Sequence, residues 1–173
     1  FNDDILQIAA VQLKNGAVVP GSAMSIYLES DKEIPEMLGD IVNPIIEERR
    51  HHQLISRQEA LQRFVDYAQG TVLLGHNADF DIYILTNNLL RELPECPLPE
   101  NLNNYLDSLL LIRLLRPGLR QYKLKYLLEV LHLEGENSHL ADADVNATRS
   151  LTAFCYNHAR EMVAEQQSFI THK

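Results

Sequence analysis

Residues 71–93 read TVLLGHNADFDIYILTNNLLREL and contain a complete strand-to-helix unit. The short apolar run TVLL is typical of a buried strand in a sheet that is covered on both faces. A Gly-His-Asn turn at 75–77 follows, and Asn77 is a candidate N-cap for a helix that runs to about Leu93. Since functional groups in open α/β sheets gather where strands end and helices begin, this turn is a candidate site.

The segments before this unit predict strands. Residues 1–19 are interpreted as a strand pair, because the run ILQIAAVQL is followed by the hairpin signal Asn15-Gly16 and then by AVV. Residues 24–28 predict a further strand.

Helices are predicted on both sides of the unit. Ser56 and Glu59 form a capping-box pattern at the start of a helix with one apolar stripe, which ends near Gly70. Strands followed by helices predict a single mixed α/β domain with helices packed on a sheet. Downstream helical patterns occupy residues 109–115, 124–131 and 140 to beyond 162.

The composition is that of one globular domain. The chain has 173 residues, of which 46% are hydrophobic and 23% charged, and this excludes a disordered tail. It has no apolar run near the ~20 residues that a membrane helix needs, and it has no signal-peptide pattern. Cys96 and Cys155 form no metal pattern and are interpreted as reduced thiols, so we expect a cytoplasmic protein without membrane contacts.

The charge is distributed unevenly along the chain. The formal net charge of −9 argues against a general electrostatic attraction to nucleic acid. Residues 113–125, RLLRPGLRQYKLK, nevertheless hold five cations and no acid. This basic segment could contact a phosphate backbone locally, or it could be a solvated turn between two helices.

The last predicted helix carries a carboxylate on an apolar face. Ala141, Thr148, Leu151 and Cys155 fall at helical spacings that place them on the same face as Asp144. Burying an unpaired carboxylate costs on the order of several kcal/mol, so Asp144 needs a partner. A metal ion and a local salt bridge are the two alternatives.

Asp81 and His139 are two further candidates for a metal-dependent site. Asp81 lies in the first turn after residues 75–77. There it could bind a metal, or its negative charge could merely interact favourably with the helix dipole. His139 lies five residues before Asp144. A histidine beside a carboxylate-bound metal can act as a general base, whereas a lone loop histidine is more often a surface residue.

Together these residues resemble the motifs of a nuclease family. Residues 75–81, GHNADFD, resemble H-N-x-x-F-D, the second motif of the DnaQ-like 3′→5′ exonucleases. Residues 139–144, HLADAD, resemble the third motif, H-x-A-x-x-D, of the histidine-bearing (DEDDh) branch. Between them, LDSL at 106–109 with Arg113 and Pro117 resembles the family's D-T-L…R…P segment.

The resemblance implies a ribonuclease H-like fold, a mixed β-sheet flanked by helices. It also implies a first motif, D-x-E-T-T-G, because residues 1–11, FNDDILQIAAV, match the segment immediately downstream of that motif in the family. We therefore expect the chain, a single exonuclease domain over 1–173, to be a fragment of a longer protein. It would lack the family's first, central strand and be inactive alone.

The resemblance also implies roles for five residues. Two Mg²⁺ ions, replaceable by Mn²⁺, are implied. The missing Asp and Glu together with Asp144 would hold one ion, and Asp81 would help to position the second, which would lie among the missing Asp, the terminal phosphodiester and waters. His139 would accept a proton from the attacking water. Nucleoside 5′-monophosphates would leave a single-stranded 3′ end, with DNA favoured over RNA, and Arg120 and Lys123 are candidate phosphate contacts.

Other residues of these motifs have structural interpretations. His76 and Asn77 are interpreted as turn residues, with substrate binding as the alternative. Phe80 is assigned to the core rather than to a base-stacking platform, and Asp107 to a helix N-cap. Asp142 is expected to face solvent.

The residues leave several functions open. The leading interpretation is an exonuclease domain, alone or fused to or associated with a helicase or a polymerase. The alternative is a degenerate, non-catalytic nucleic-acid-binding or partner-docking module. An RNA-trimming enzyme of the same superfamily and a metal-free structural domain are the remaining interpretations.

Overall fold

The computed structural model describes residues 3–32, 39–135 and 140–171. Its strands are β1 Gln7–Ala10, β2 Leu13–Lys14, β3 Ala17–Val18, β4 Met24–Leu28, β5 Leu54–Ile55, β6 Leu73–Gly75 and β7 Tyr105–Asp107. Its helices are α1 Gly39–His51, α2 Arg57–Ala68, α3 Ala78–Glu92, α4 Ser108–Leu115, α5 Leu124–Val130 and α6 Ala141–Thr171.

The strands form small sheets against which the helices pack. β4 is central in a three-stranded sheet, antiparallel to β1 and parallel to β5. β6 and β7 pair in parallel, with Leu74 opposite Leu106. In the described residues, β1 and β6 each bond to a single neighbouring strand, so each has an edge with unpaired backbone groups. The predicted mixed α/β class is confirmed.

The N-terminal strands pair differently from the prediction. Asn15-Gly16 does form the hairpin turn, with φ angles of 54° and 80°. This hairpin joins only β2 to β3, however, whereas β1 pairs with β4 and places Ile8 opposite Ile26. The prediction was wrong for β1 because burial of these two isoleucines favours the longer-range pairing. Residues 1 and 2 lie outside the described residues.

β6 is less buried than the sequence predicted. Leu73, Leu74 and Gly75 are half-buried, and Val72 is 64% exposed. The prediction of a strand covered on both faces was therefore wrong. In the described residues, β6 has a neighbour on one side only, which leaves part of its surface open.

The predicted helices are confirmed. At the start of α2, the Glu59 N–H donates a hydrogen bond of 3.3 Å to the Ser56 hydroxyl oxygen, as the capping-box pattern indicates. Gly70 follows α2 with a φ of 71°, a left-handed conformation that glycine adopts without steric cost. None of the helices in the described ranges has the length and apolar character of a membrane span.

Two apolar clusters hold these elements together. The first lies between the β1–β4 sheet and helices α2 and α3, and it includes Leu28, Leu61 and Leu89. The second lies among α4, α5 and α6 and includes Leu127 and Leu151. Because α3 belongs to the first cluster and α6 to the second, each cluster supplies one helix to the candidate site.

An ion-pair network holds the segment that leads into β1. The Asp4 side chain is 5% exposed and lies 2.8 Å from Lys32 Nζ, 2.8 Å from Arg91 Nη2 and 3.6 Å from Arg57 Nη1. Burial alone would raise the pKa of Asp4. The hydrogen bonds from Lys32 and Ser30, with the charges of Lys32 and Arg91, outweigh burial and lower this pKa.

Candidate active site

The turn at residues 75–77 connects β6 directly to α3 and places Asp81 in the first turn of that helix. Gly75 fits here because a Cβ atom at this position would lie 3.0 Å from the Ala78 Cβ. Asn77 has a left-handed backbone with φ of 63°, and its side chain does not cap α3. The predicted Asn77 cap was therefore wrong, since a capping residue needs an extended backbone.

Asp107 joins this turn to the start of α4. Its side chain is 8% exposed, and its Oδ1 accepts hydrogen bonds from the Asn77 N–H at 2.9 Å and the Leu109 N–H at 2.8 Å. The second bond confirms Asp107 as the N-cap of α4. The buried Asp107 carboxylate thus connects the ends of β6 and β7 with the starts of α3 and α4.

His76 is bonded within the same junction. Its Nδ1 lies 2.9 Å from the Ser108 Oγ, and its Nε2 lies 3.0 Å from the Tyr122 carbonyl oxygen. A carbonyl can only accept, so Nε2 donates to Tyr122 and Nδ1 accepts from the Ser108 hydroxyl. Burial lowers the pKa of His76, which favours this neutral tautomer.

Ser108 and Tyr122 did not emerge from sequence analysis as part of the site. Ser108 stands where the family's D-T-L segment carries threonine, which is a signal for a hydroxyl at this position. Tyr122 is the one aromatic residue of the basic segment 113–125, but nothing in the sequence connects it to His76, which lies 46 positions earlier.

Asp144 lies in the first turn of α6, whose start is docked on the sheet. Gln7 accepts a hydrogen bond from the Ala141 N–H at 3.0 Å and donates one to Asp142 Oδ2 at 3.3 Å. The Ser25 hydroxyl donates to the same Asp142 oxygen at 3.1 Å. Asp142 is exposed, as predicted, but it also tethers α6 to β1 and β4 and so helps to place Asp144.

The apolar face predicted for α6 is confirmed. Leu151 and Cys155 are buried, and Thr148 is half-buried. Asp144 is half-buried on this face, one turn before Thr148.

Asp81 and Asp144 lie close enough for their charges to interact. Removal of water by the surrounding protein, followed by the negative charges of Asp144 and Asp107, raises the pKa of Asp81 to about 6. Asp81 nevertheless remains accessible to solvent, so the pair faces an open surface rather than the core. Facing carboxylates of this kind are stabilised by a bound cation or by a shared proton.

The donor atoms at this site suit a hard cation. Carboxylate oxygens are the ligands that Mg²⁺ prefers, so the pair fits such an ion in charge and in donor type. Within residues 3–32, 39–135 and 140–171, no group of three or more His, Cys, Asp or Glu residues could hold a metal. Asp81 and Asp144 do not by themselves form such a group in the described residues, and their role in metal binding stays a prediction. His139, the candidate general base, lies outside the described residues and stays a prediction.

The basic segment 113–125 comprises the end of α4, the connection to α5 and the start of α5, and its five cations are exposed. None of its cations forms an ion pair with a carboxylate in the part of the chain that the structure describes. The five exposed cations are Arg113, Arg116, Arg120, Lys123 and Lys125.

Phe80 is 61% exposed beside Asp81. The assignment of Phe80 to the core was therefore wrong. Leu85 and Leu89 turn the opposite side of α3 toward the core, which leaves Phe80 facing solvent.

Comparison with known proteins assigns this chain to a family. The RNase_T family model, described as exonuclease, matches residues 2–152. The chain belongs to this exonuclease family. The 3′-5′ exonuclease DinG of Bacillus subtilis is 32% identical over 152 residues, which are 84% of this chain and 15% of that protein. A DNA polymerase III PolC-type of Clostridium perfringens is 29% identical over 161 residues, 92% of this chain and 10% of that protein.

Solved structures agree on the fold of this exonuclease domain. Exonuclease X in complex with 5′ overhanging duplex DNA has a TM-score of 0.61 at 21% identity, covering 88% of this chain and 82% of that chain. The RNase domain of the yeast Pop2 protein has a TM-score of 0.60 at 17% identity, covering 91% and 66%. The ribonuclease H-like, DnaQ-like fold is confirmed, and the domain spans 10% to 15% of the two sequence relatives.

Proposed function

We propose that this domain is a metal-dependent 3′→5′ exonuclease that releases nucleoside 5′-monophosphates. The observation that supports this most is the pair formed by Asp81 and Asp144, two carboxylates from the starts of different helices at an open surface. The exonuclease family supplies the reaction class, and the name of the DinG relative supplies the direction.

The metal site is proposed to combine residues of this chain with two more carboxylates. Asp144 and Asp81 would hold divalent ions together with an Asp and a Glu of a D-x-E segment outside residues 1–173. When bound, Mg²⁺ or Mn²⁺ would stabilise the attacking and leaving oxygens of an in-line displacement. His139 would accept the proton of the attacking water. The unpaired edges of β1 and β6 are suitable places for the strand that carries D-x-E.

The substrate is proposed to be a single-stranded 3′ end, with DNA favoured over RNA. Arg120 and Lys123 would contact its phosphates, while His76 and Asn77 shape the adjoining turn. Phe80 would stack on a base, because its ring is exposed beside the carboxylates.

Replacing Phe80 with alanine should weaken oligonucleotide binding about fivefold without lowering Tm. Unchanged affinity would remove Phe80 from the proposed substrate site.

The domain is proposed to act within, or beside, a longer DNA-processing protein. Both sequence relatives are several times longer than this chain, and one is a DNA polymerase III. Fusion to or association with a polymerase or a helicase is therefore part of the proposal.

A degradation assay with the full-length protein tests this function. Single-stranded DNA and RNA labelled at the 5′ end should shorten stepwise in Mn²⁺, and the products should be nucleoside 5′-monophosphates. The variant Asp144→Asn should leave both substrates intact. Shortening from the 5′ end would contradict the proposed direction. Intact substrates with the folded parent protein would contradict the activity itself.

A second candidate is a non-catalytic nucleic-acid-binding or partner-docking module. The observation that favours it is the lack of a three-ligand metal cluster in the described residues. A full-length sequence without D-x-E, together with oligonucleotide binding but no cleavage, would support this candidate.

A further inference from the structure

The basic segment has a fixed shape that a single side chain organises. The Tyr122 hydroxyl donates a hydrogen bond to the Arg116 carbonyl oxygen at 3.0 Å and accepts one from the Leu119 N–H at 3.3 Å. The Arg113 guanidinium lies 5.5 Å from the centre of the Tyr122 ring, a cation–π distance. Residues 116–123, which we call the Tyr122 loop, are therefore folded around this ring, and the backbone positions that carry their cations have a defined arrangement.

One side chain ties the Tyr122 loop to the carboxylate pair. His76 Nε2 donates to the Tyr122 carbonyl oxygen at 3.0 Å, while His76 Nδ1 is bonded to Ser108, which is fully buried at the start of α4. His76 itself belongs to the turn that leads into α3 and Asp81. One hydrogen bond of the imidazole ring thus ties the Tyr122 loop to the turn that leads into Asp81, and the other anchors the ring at the start of α4.

We propose that His76 is a positioning residue that fixes the Tyr122 loop, with Arg120 and Lys123, at a set distance from Asp81 and Asp144. This inference rests on the proposed function and deepens it. The terminal phosphodiester of the substrate reaches Asp81 and Asp144 only when the phosphates that precede it are bound at a fixed distance from these two carboxylates. Because both cations are long and flexible, that distance depends on the loop backbone, which His76 holds.

The two ring nitrogens allow a matched pair of variants. The amide nitrogen of glutamine occupies nearly the position of His Nε2, so His76→Gln keeps a donor for the Tyr122 carbonyl. Asparagine is shorter and reaches only the position of Nδ1, so His76→Asn loses the bond to the loop. Both substitutions give an uncharged side chain like the neutral imidazole. Glutamine keeps the bond to Tyr122 and loses the one to Ser108, whereas asparagine keeps an acceptor for Ser108 and loses the bond to Tyr122.

The effect of the variants on substrate affinity can be measured without turnover. A fluorescent single-stranded oligonucleotide is bound to the full-length protein in EDTA over a series of salt concentrations. For His76→Asn we expect Kd to rise about fivefold, the change that loss of one hydrogen bond produces. The slope of log K against log[salt] should become shallower by about 0.7 for each phosphate that the variant no longer binds. His76→Gln should stay near the parent in both quantities. Equal Kd and slope for all three proteins would overturn the proposal.

A second variant decides the matter if His76→Asn does not fold. Tyr122→Phe removes the bonds to Arg116 and Leu119 but keeps the carbonyl that accepts from His76. Tyr122 is only half-buried, so the variant should keep its Tm while its salt slope becomes shallower. An unchanged slope for Tyr122→Phe would show that the loop does not order its cations, and the proposal would fail.

Turnover measurements separate this inference from the proposed function. If both His76 variants lose kcat while Kd and salt slope stay at parent values, His76 acts in the chemistry and the positioning role is wrong. If the parent binds the oligonucleotide but cleaves nothing, the nuclease proposal fails while the slopes still test the positioning role. No binding by the parent would overturn both.

Discussion

Asp4 and Asp81 are both aspartates at the edge of the same α/β scaffold, yet their pKa values shift in opposite directions. Asp4 is nearly buried and has three cations around it, so its pKa is lowered. The pKa of Asp81 is raised to about 6, first because the surrounding protein removes water from it and then because of the negative charge of Asp144. The fold stabilises the ionised form of the first carboxylate and disfavours the ionised form of the second.

This contrast distinguishes a charge cluster that stabilises the fold from the one that we propose to be functional. A group whose ionised form the fold stabilises adds to the free energy of unfolding, and a group whose ionised form the fold disfavours subtracts from it. Such a cost is retained where it prepares a site for a ligand. The contrast therefore predicts opposite consequences for removing the two charges.

The largest expected effect is on activity at the functional cluster. Asp144→Asn should lower the rate of 3′-end degradation by at least about a hundredfold, since even partners outside the metal's own ligands cost 10–100-fold. Glu165→Gln, an exposed charge removal on the same helix, is the control and should leave the rate unchanged. A rate for Asp144→Asn within a few-fold of the parent would place Asp144 on the structural side of the comparison.

The next effect is on stability at the structural cluster. Asp4→Asn should lower the free energy of unfolding by about 2 kcal/mol, because it removes the charge of the buried carboxylate that pairs with Lys32, Arg57 and Arg91, although Glu92 still pairs with both arginines. Asp31→Asn is the control: Asp31 also pairs with Arg57, at 3.7 Å, but its side chain is 95% exposed, so the change should be close to zero. Equal losses in urea unfolding would mean that burial does not distinguish the two pairs.

The difference between the parent and Asp4→Asn should also depend on pH. Because the folded state lowers the pKa of Asp4 below its ordinary value of 3.8, its stabilisation is present above that value. It is lost as pH falls through the lowered pKa. Urea unfolding should therefore give a constant difference between pH 7 and pH 5 and a shrinking one below pH 4. A difference that grows in acid would contradict this assignment.

Local patterns were enough for much of the fold. The cap at Ser56 and helices α2 to α6 follow from spacing and composition along the chain. The pairing of β1 with β4 did not, because it depends on which isoleucines reach the core together. The half-burial of β6 was missed because coverage of a strand depends on neighbours that local sequence does not specify.

Local patterns also indicated only part of the candidate site. Asp81 and Asp144 were chosen from motifs and helical spacing, and their mutual charge effect is consistent with that choice. The exposure of Phe80 was missed because it depends on which side of α3 faces the core, and the left-handed backbone of Asn77 was missed because it belongs to the tight turn bonded to Asp107. The bond from His76 to Tyr122 spans 46 positions, and no local pattern encodes it.

The smallest expected effect is the most specific to the comparison. Asp81→Asn should raise Tm in EDTA at pH 8 by about 1–2 °C, a small value because solvent screens an accessible carboxylate. The folded state raises the pKa of Asp81 from 3.8 to about 6. The folded state therefore favours the protonated carboxyl, and this contribution to stability is fully present below pH 3.8 and is lost as pH rises through 6. The gain from Asn should therefore vanish near pH 4, and Mn²⁺ should stabilise the parent more than the variant. A variant less stable than the parent at pH 8 in EDTA would place Asp81 in the same class as Asp4, as a charge that the fold itself satisfies.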